Sequence, residues 1–152
     1  MPIVRFVREG RDVDCLPGAI LRDVALAAGV ELYGLKGKLG NCGGCGQCST
    51  CFIEVVGPSR SLPLTPHTET ECKLLRRRPQ AWRLACQAMV EQSVAVVTRP
   101  QTALKERDAL VDEALARELP AGTTRAALEL ARAAEQEALA AAEAPQADQQ
   151  TE

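Results

Sequence analysis

The chain has 152 residues, of which 46% are hydrophobic and only 3% aromatic, with 18 Lys/Arg set against 20 Asp/Glu. That length suits one domain with an appendage, and its core must be built from Val, Leu, Ile and Ala rather than from rings. The charges form no concentrated basic stripe, which argues against a nucleic-acid binder, and no run of eighteen uncharged apolar residues is present to make a spanning helix.

Ile3–Val7 and Val13–Leu16 read as two strands joined at Glu9-Gly10, where glycine supplies the tight bend. This charged, alternating start does not read as a signal peptide. Pro17-Gly18 breaks the pattern. Ala19–Ala28 then carries apolar residues at Ile20, Leu21, Val24, Ala25, Ala27 and Ala28, a helical spacing closed by Gly29. Tyr33–Thr50 is glycine-rich and aperiodic. Cys51–Val56 returns to strand character, and Pro58–Pro66 is a loop with three prolines. Thr68–Arg78 predicts a short helix ended by Pro79, and Trp82–Gln87 and Ser93–Thr98 are the last strands. Residues 1–100 are therefore expected to form an α+β domain with strands around one main helix.

Composition changes after Arg99-Pro100. Thr102–Glu118 and Ala126–Ala142 read as helices joined by a turn at 119–124 with a Thr cap, which predicts a helical hairpin extension over 101–143. Residues 144–152 read as a disordered tail. Charge divides at the same place. Residues 1–100 hold 13 Lys/Arg against 9 Asp/Glu, a net +4, and residues 101–152 hold 5 against 11, a net −6. The apolar positions Leu104, Val111, Leu115 and Leu128 are expected to serve as a docking face for a partner.

Seven cysteines occur, the last at Cys86. With no secretion signal the thiols are expected to stay reduced, and an odd count argues against complete pairing, so metal binding is the better reading. Cys42, Cys45, Cys48 and Cys51 lie within ten residues among Gly40, Gly43, Gly44 and Gly46. Thiolates are soft ligands for iron–sulfur clusters and zinc. Glycines let the backbone approach a cluster closely and aim its amides at the negative charge. The C-x2-C-x2-C-x2-C spacing leaves two rivals to a two-iron centre. One is a four-iron cluster, although its usual run ends in x3-C-P whereas Phe52 stands here. The other is zinc, although structural zinc sites usually join two separated knuckles.

Cys42-x5-Cys48-x2-Cys51 and Arg83-Leu-Ala-Cys86-Gln87 resemble the [2Fe–2S] ferredoxins, in particular the vertebrate-type and bacterial hydroxylase-type spacing. The loop Cys42-Gly-Gly-x-Gly-x-Cys48 and the segment Trp82–Cys86 are also similar to ferredoxin-like proteins of photosynthetic organisms, among them a subunit of the photosynthetic NDH complex. The resemblance spans residues 1–100. It implies a β-grasp fold and a [2Fe–2S] cluster near the surface, with Cys42, Cys48, Cys51 and Cys86 as its ligands and Cys45 as a spare thiol. The implied role is that of a one-electron carrier, not an enzyme. The alternative is a fixed relay or structural subunit of a membrane-associated complex. The location expected is cytoplasmic, or peripheral at a thylakoid membrane. Redox partner proteins are expected, with the basic segment Lys73–Arg83 as a docking site in place of the acidic surface common in ferredoxins. Cys15 and Cys72 read as plain buried or half-buried thiols. His67 reads as a surface or capping residue, since a Rieske centre needs two histidines. Trp82 reads as a core anchor.

Overall fold

The computed structural model describes residues 1–34, 39, 40, 42, 43, 45, 50–58 and 63–143. Five strands form one mixed sheet: β1 (Ile3–Phe6), β2 (Arg11–Asp14), β3 (Phe52–Val56), β4 (Trp82–Leu84) and β5 (Val94–Thr98), in the order β2-β1-β5-β3-β4. β1 and β2 make the expected hairpin, with Ile3 opposite Asp14 and Gly10 at φ +60° in the bend. β1 then runs parallel to β5, while β3 is antiparallel to both β5 and β4. β5 is the central strand and is buried over its whole length, which is why Val-Ala-Val-Val reads as a continuous apolar run without alternation.

One face of the sheet carries the main core. Val4, Phe6, Val94 and Val96 point into it and meet α1 (Leu21–Ala27) through Leu21, Val24 and Ala25. The other face of the same strands presents Val7, Ala95 and Val97, the alternate positions of a two-residue period. These are covered by α3 (Arg107–Ala116) through Ala114, Leu110 and Val111, with Leu104 and Leu119 at its flanks. Leu104 and Val111, expected to meet a partner, are thus packed on this chain's own sheet. Leu115 alone of that helix stripe stays largely exposed.

Arg5 fixes α3 in place. It lies on the α3 side of β1 and is 4% exposed. Its guanidinium forks onto Asp12 at 2.8 Å on both oxygens. The remaining N–H groups donate to the carbonyls of Ala114, Arg117 and Glu118 at 2.8, 2.9 and 3.1 Å. Those carbonyls include the unsatisfied acceptors at the end of α3, where a cation is also favoured by the helix dipole.

After α3 the chain runs back past the residues that precede β1, where the Ser93 amide donates to the Ala121 carbonyl at 2.8 Å. Gly122 sits at φ +76° with its Cα so close to Pro2 that a Cβ would lie 2.7 Å from that residue's backbone, so only glycine fits. α4 (Arg125–Glu143) begins at Thr124, whose hydroxyl accepts from the Ala127 amide at 3.2 Å, the expected Thr cap. None of its 19 residues is buried. α4 is held at its root by Arg125, which reaches Glu91 at 3.4 Å. The tail 144–152 lies outside the described residues.

The packing predicts unequal effects of two changes. Arg5→Ala should cost about 2 kcal/mol, the scale for losing hydrogen bonds to a charged group, and should speed hydrogen exchange in α3 first. Removing residues 129–152 should shift the urea-unfolding free energy by less than about 0.5 kcal/mol, because none of the described residues removed is buried.

Candidate metal centre

The register of β3 and β4 decides where the cysteines meet. Phe52 lies opposite Leu84, and the Ala85 amide donates to the Cys51 carbonyl at 2.9 Å, so the ladder continues one residue past each strand. β4 ends at Leu84, three residues short of the expected strand, because the amides of Gln87 and Ala88 turn back onto the Leu84 carbonyl. That turn carries Cys86 over Cys51. Their sulfurs stand 3.3 Å apart, with Cys51 2% and Cys86 8% exposed. Two thiolates on one tetrahedral metal with bonds of about 2.3 Å lie about 3.8 Å apart, so the pair is spaced for a shared ion.

Two further elements hold the Cys86 turn. The first amides of α1 have no side-chain cap at Ile20; Leu21 and Arg22 donate instead to the carbonyls of Ala88 and Ala85, both at 2.9 Å. The helix end and the turn satisfy each other's backbone groups. On the other side stands α2 (Glu69–Leu74), which starts with a complete capping box between Thr68 and Glu71. Glu71 is fully buried. It accepts from Arg83 at 2.8 and 2.9 Å, from the Leu84 amide at 2.9 Å and from the Thr68 amide at 3.0 Å. Burial alone would push the Glu71 carboxyl up. The Arg83 hydrogen bonds and the two backbone amides more than offset that and hold it below the usual carboxylate range.

The Cys86 thiol is held at about 7, below the usual thiol range. The hydrogen bond from Cys51 is the main cause, burial opposes it, the Gln87 amide adds to it, and the charge of Cys42 opposes it again. Cys42 is therefore within electrostatic reach of the pair; it is half-buried, whereas Cys45 is exposed. Cys48 lies outside the described residues, as do Gly44 and Gly46. Among the described residues no group of three or more side chains is gathered at metal-binding distance, so the described part of the centre is the Cys51–Cys86 pair with Cys42 nearby. Buried, thiol-lined, paired at ligand spacing and with one thiol already acidified, this part fits a thiolate-bound iron centre.

Other expected residues fall as follows. Cys15 is buried and burial pushes its thiol up, as a plain core cysteine requires. Cys72 is exposed, contrary to expectation, because it lies on the outer face of α2. His67 is exposed beside the α2 cap, its ring 3.3 Å from the Trp82 carbonyl. Trp82 is a buried anchor against Phe52, their ring centroids 5.4 Å apart, with Arg78 laid over both. Arg83, read within the basic segment Lys73–Arg83, is 3% exposed and occupied by Glu71, so the exposed basic residues of that segment end at Arg78. Sequence reasoning passed over Glu71. The Thr68-x-x-Glu71 capping signature was the available signal.

The sheet order, with α1 against its main face, is that of a ferredoxin-like β-grasp domain of the α+β class. Among solved structures the chain is similar to the ferredoxin of Rhodopseudomonas palustris HaA2, at 24% identity and a TM-score of 0.52 over 67% of this chain and 100% of that one. It is also similar to the ISC-like [2Fe–2S] ferredoxin of Pseudomonas putida JCM 20004, at 26% identity and a TM-score of 0.55 over 70% and 98%. Among curated proteins it is 46% identical over 74 residues to the chloroplastic photosynthetic NDH subunit of subcomplex B 3 from Arabidopsis thaliana. That match spans 48% of this chain and 35% of the plant protein, about a third of its length. No protein-family model matches the chain.

Breaking the Glu71–Arg83 pair should be costly. Glu71→Ala leaves a buried guanidinium without its counter-ion and is expected to lose about 3–5 kcal/mol. Because the folded-state pKa of Glu71 is depressed, its contribution is present above the ordinary Glu value and lost as pH falls through the folded one. The stability gap between wild type and Glu71→Gln should therefore be full at neutral pH and shrink below about pH 4, as read from urea unfolding over a pH series.

Proposed function

We propose that this chain binds a [2Fe–2S] cluster through Cys42, Cys48, Cys51 and Cys86 and acts as a one-electron carrier. The observation that carries the reading is the meeting of Cys51 with Cys86 at 3.3 Å across 35 residues of sequence. The resemblance of the whole domain to solved ferredoxins supports it.

When bound, such a cluster would take up and release single electrons. The chain's own residues do the rest. The β3–β4 ladder and the α1 amides hold Cys51 and Cys86 so that little has to move between oxidation states. The core face of the sheet, with Leu84, Ala85 and Ala88 fully buried around the turn, keeps water from the inner side of the site. The half-buried Cys42 and exposed Cys45 mark the side from which a redox partner approaches. The exposed basic residues Lys73, Arg76, Arg77 and Arg78 form the proposed docking segment for an acidic partner protein. No substrate pocket or acid–base pair is invoked, which is the sense in which the chain is read as a carrier rather than an enzyme.

A second reading is favoured by one finding, the 46% identity to a subunit of a chloroplast NDH complex. In it the domain is a fixed relay or structural part of a membrane-associated assembly, lying peripherally at the membrane. No helix among the described residues is long and apolar enough to cross one. The division of the chain at residue 100 belongs to this proposal. Residues 1–100 bear the cluster. Within the extension 101–143, α3 clamps the sheet and α4, exposed along its length, is the part available to neighbours.

Three measurements test these readings. Purified protein should show visible absorbance that bleaches on reduction by dithionite, with a rhombic one-electron EPR signal; a colourless zinc protein would sink the proposal. Cys42→Ala and Cys86→Ala should each lose the cluster while Cys45→Ala keeps it, and the opposite result for the loop pair would reassign the ligand to Cys45. Migration of the native protein with a large membrane-associated assembly rather than as a free monomer would decide for the subunit reading.

A further inference from the structure

Gln87 follows Cys86 directly, and its side chain is the link between the metal centre and the start of α2. The Gln87 Nε2 amide donates to the Cys86 sulfur at 3.8 Å. At its other end Gln87 Oε1 accepts from the Thr68 hydroxyl at 3.4 Å. The Thr68 hydroxyl in turn accepts from the Glu71 amide at 3.2 Å, as the N-cap of α2.

The direction of this chain of bonds is fixed by the chemistry of its members. A ligand thiolate can only accept, so the Gln87 NH2 group must face the sulfur, and a capping hydroxyl, which spends one lone pair on the helix amide, still has its proton to give. It gives that proton to the carbonyl oxygen of Gln87. The two ends of a carboxamide are not equivalent, so once Oε1 is taken by Thr68 the NH2 group must face the other way, toward the sulfur. Glu71 locks the arrangement from behind. Its carboxylate accepts from the Thr68 amide at 3.0 Å and is itself buried against Arg83. The sulfur is therefore offered a donor whose orientation is set by a helix cap rather than by free rotation.

We infer that Thr68 and Gln87 are positioning residues that raise the reduction potential of the metal centre by holding an N–H donor on the Cys86 sulfur. The inference rests on the reading of Cys86 as a ligand. A one-electron donor, a redox partner protein in the proposed function or dithionite in the test, gives one electron to the centre and makes its sulfurs more negative. A donor aimed at a sulfur stabilises the reduced form more than the oxidised one. Only the electron is transferred, and the hydrogen bond strengthens without moving its proton.

The test uses the full chain carrying its cluster. Gln87→Leu keeps the bulk and removes the donor. It should make one-electron reduction up to about tenfold less favourable, 59 mV for a one-electron couple, and raise the iron–thiolate stretching frequency in the resonance Raman spectrum. Thr68→Val should shift the potential in the same direction by less, Thr68→Ser should restore the wild-type value, and Thr68→Val added to Gln87→Leu should produce no further shift. An intact cluster with unchanged potential and Raman bands in Gln87→Leu overturns the inference. So does a Thr68→Val shift that persists in the Gln87→Leu background, which would mean that Thr68 acts through the helix alone. Absence of a visible spectrum in the unmodified protein would instead overturn the ligand assignment beneath it.

Discussion

The pairing of β3 with β4 is the constraint on which the rest of this molecule depends. Phe52 opposite Leu84 sets Ala85 beside Cys51, and the turn that follows carries Cys86 over it. A slip of one residue would turn Leu84 out of the core and carry Cys86 away from Cys51, because side chains alternate across a strand. The register is secured from three directions. Leu84 and Ile53 are fully buried, the first two amides of α1 donate to carbonyls of the Cys86 turn, and Arg83 is bound to Glu71 inside the protein. A buried ion pair is a poor source of net stability but a strong penalty on misplacement, since either partner left alone in the interior is an uncompensated charge. Its use beside β4 suits a place where position matters more than overall stability.

The sheet is closed on both faces by different parts of the chain. α1 covers the face that supports the cysteine pair, and α3 covers the opposite face with a smaller cluster around Ala114. The two faces communicate through strands β1 and β5, whose alternate residues serve one side and then the other. Arg5 is the polar counterpart of this arrangement, buried on the α3 face and holding a helix terminus by its carbonyls. The acidic extension is thus two unlike things. α3 is part of the packed body. α4 is a solvated helix fastened at its first turn, where Arg125 meets Glu91.

The likeness to ferredoxins and the likeness to a plant NDH subunit bear on different levels. The first concerns the fold, and covers two thirds of this chain and nearly all of the ferredoxins compared. The second concerns a stretch of 74 residues at higher identity and about a third of a longer protein. The carrier reading rests on the thiol geometry, and the subunit reading on the longer protein's context. Both use the same held pair of cysteines, since a relay and a shuttle need the same rigid ligand frame.

Much of this was legible in the residues themselves. The β1–β2 bend at Gly10, the helix ending before Gly29, the Thr124 cap and the α+β class follow from local rules of period, turn and cap, which act over a few residues and leave their mark in sequence. The glycine-flanked cysteines and the segment around Cys86 pointed to a thiolate-bound metal because few other arrangements need such residues together. The sequence by itself could not say that Arg83 is buried while Arg78 is not, since both sit in one run of basic residues and only the partner Glu71, twelve residues back, separates them. Nor could it say that Leu104 and Val111 meet the chain's own sheet, because an apolar stripe shows that something covers it and not what. Those outcomes, and the 3.3 Å between Cys51 and Cys86, were decided by tertiary structure, where strand register brings distant residues together and burial chooses which charges must be paired.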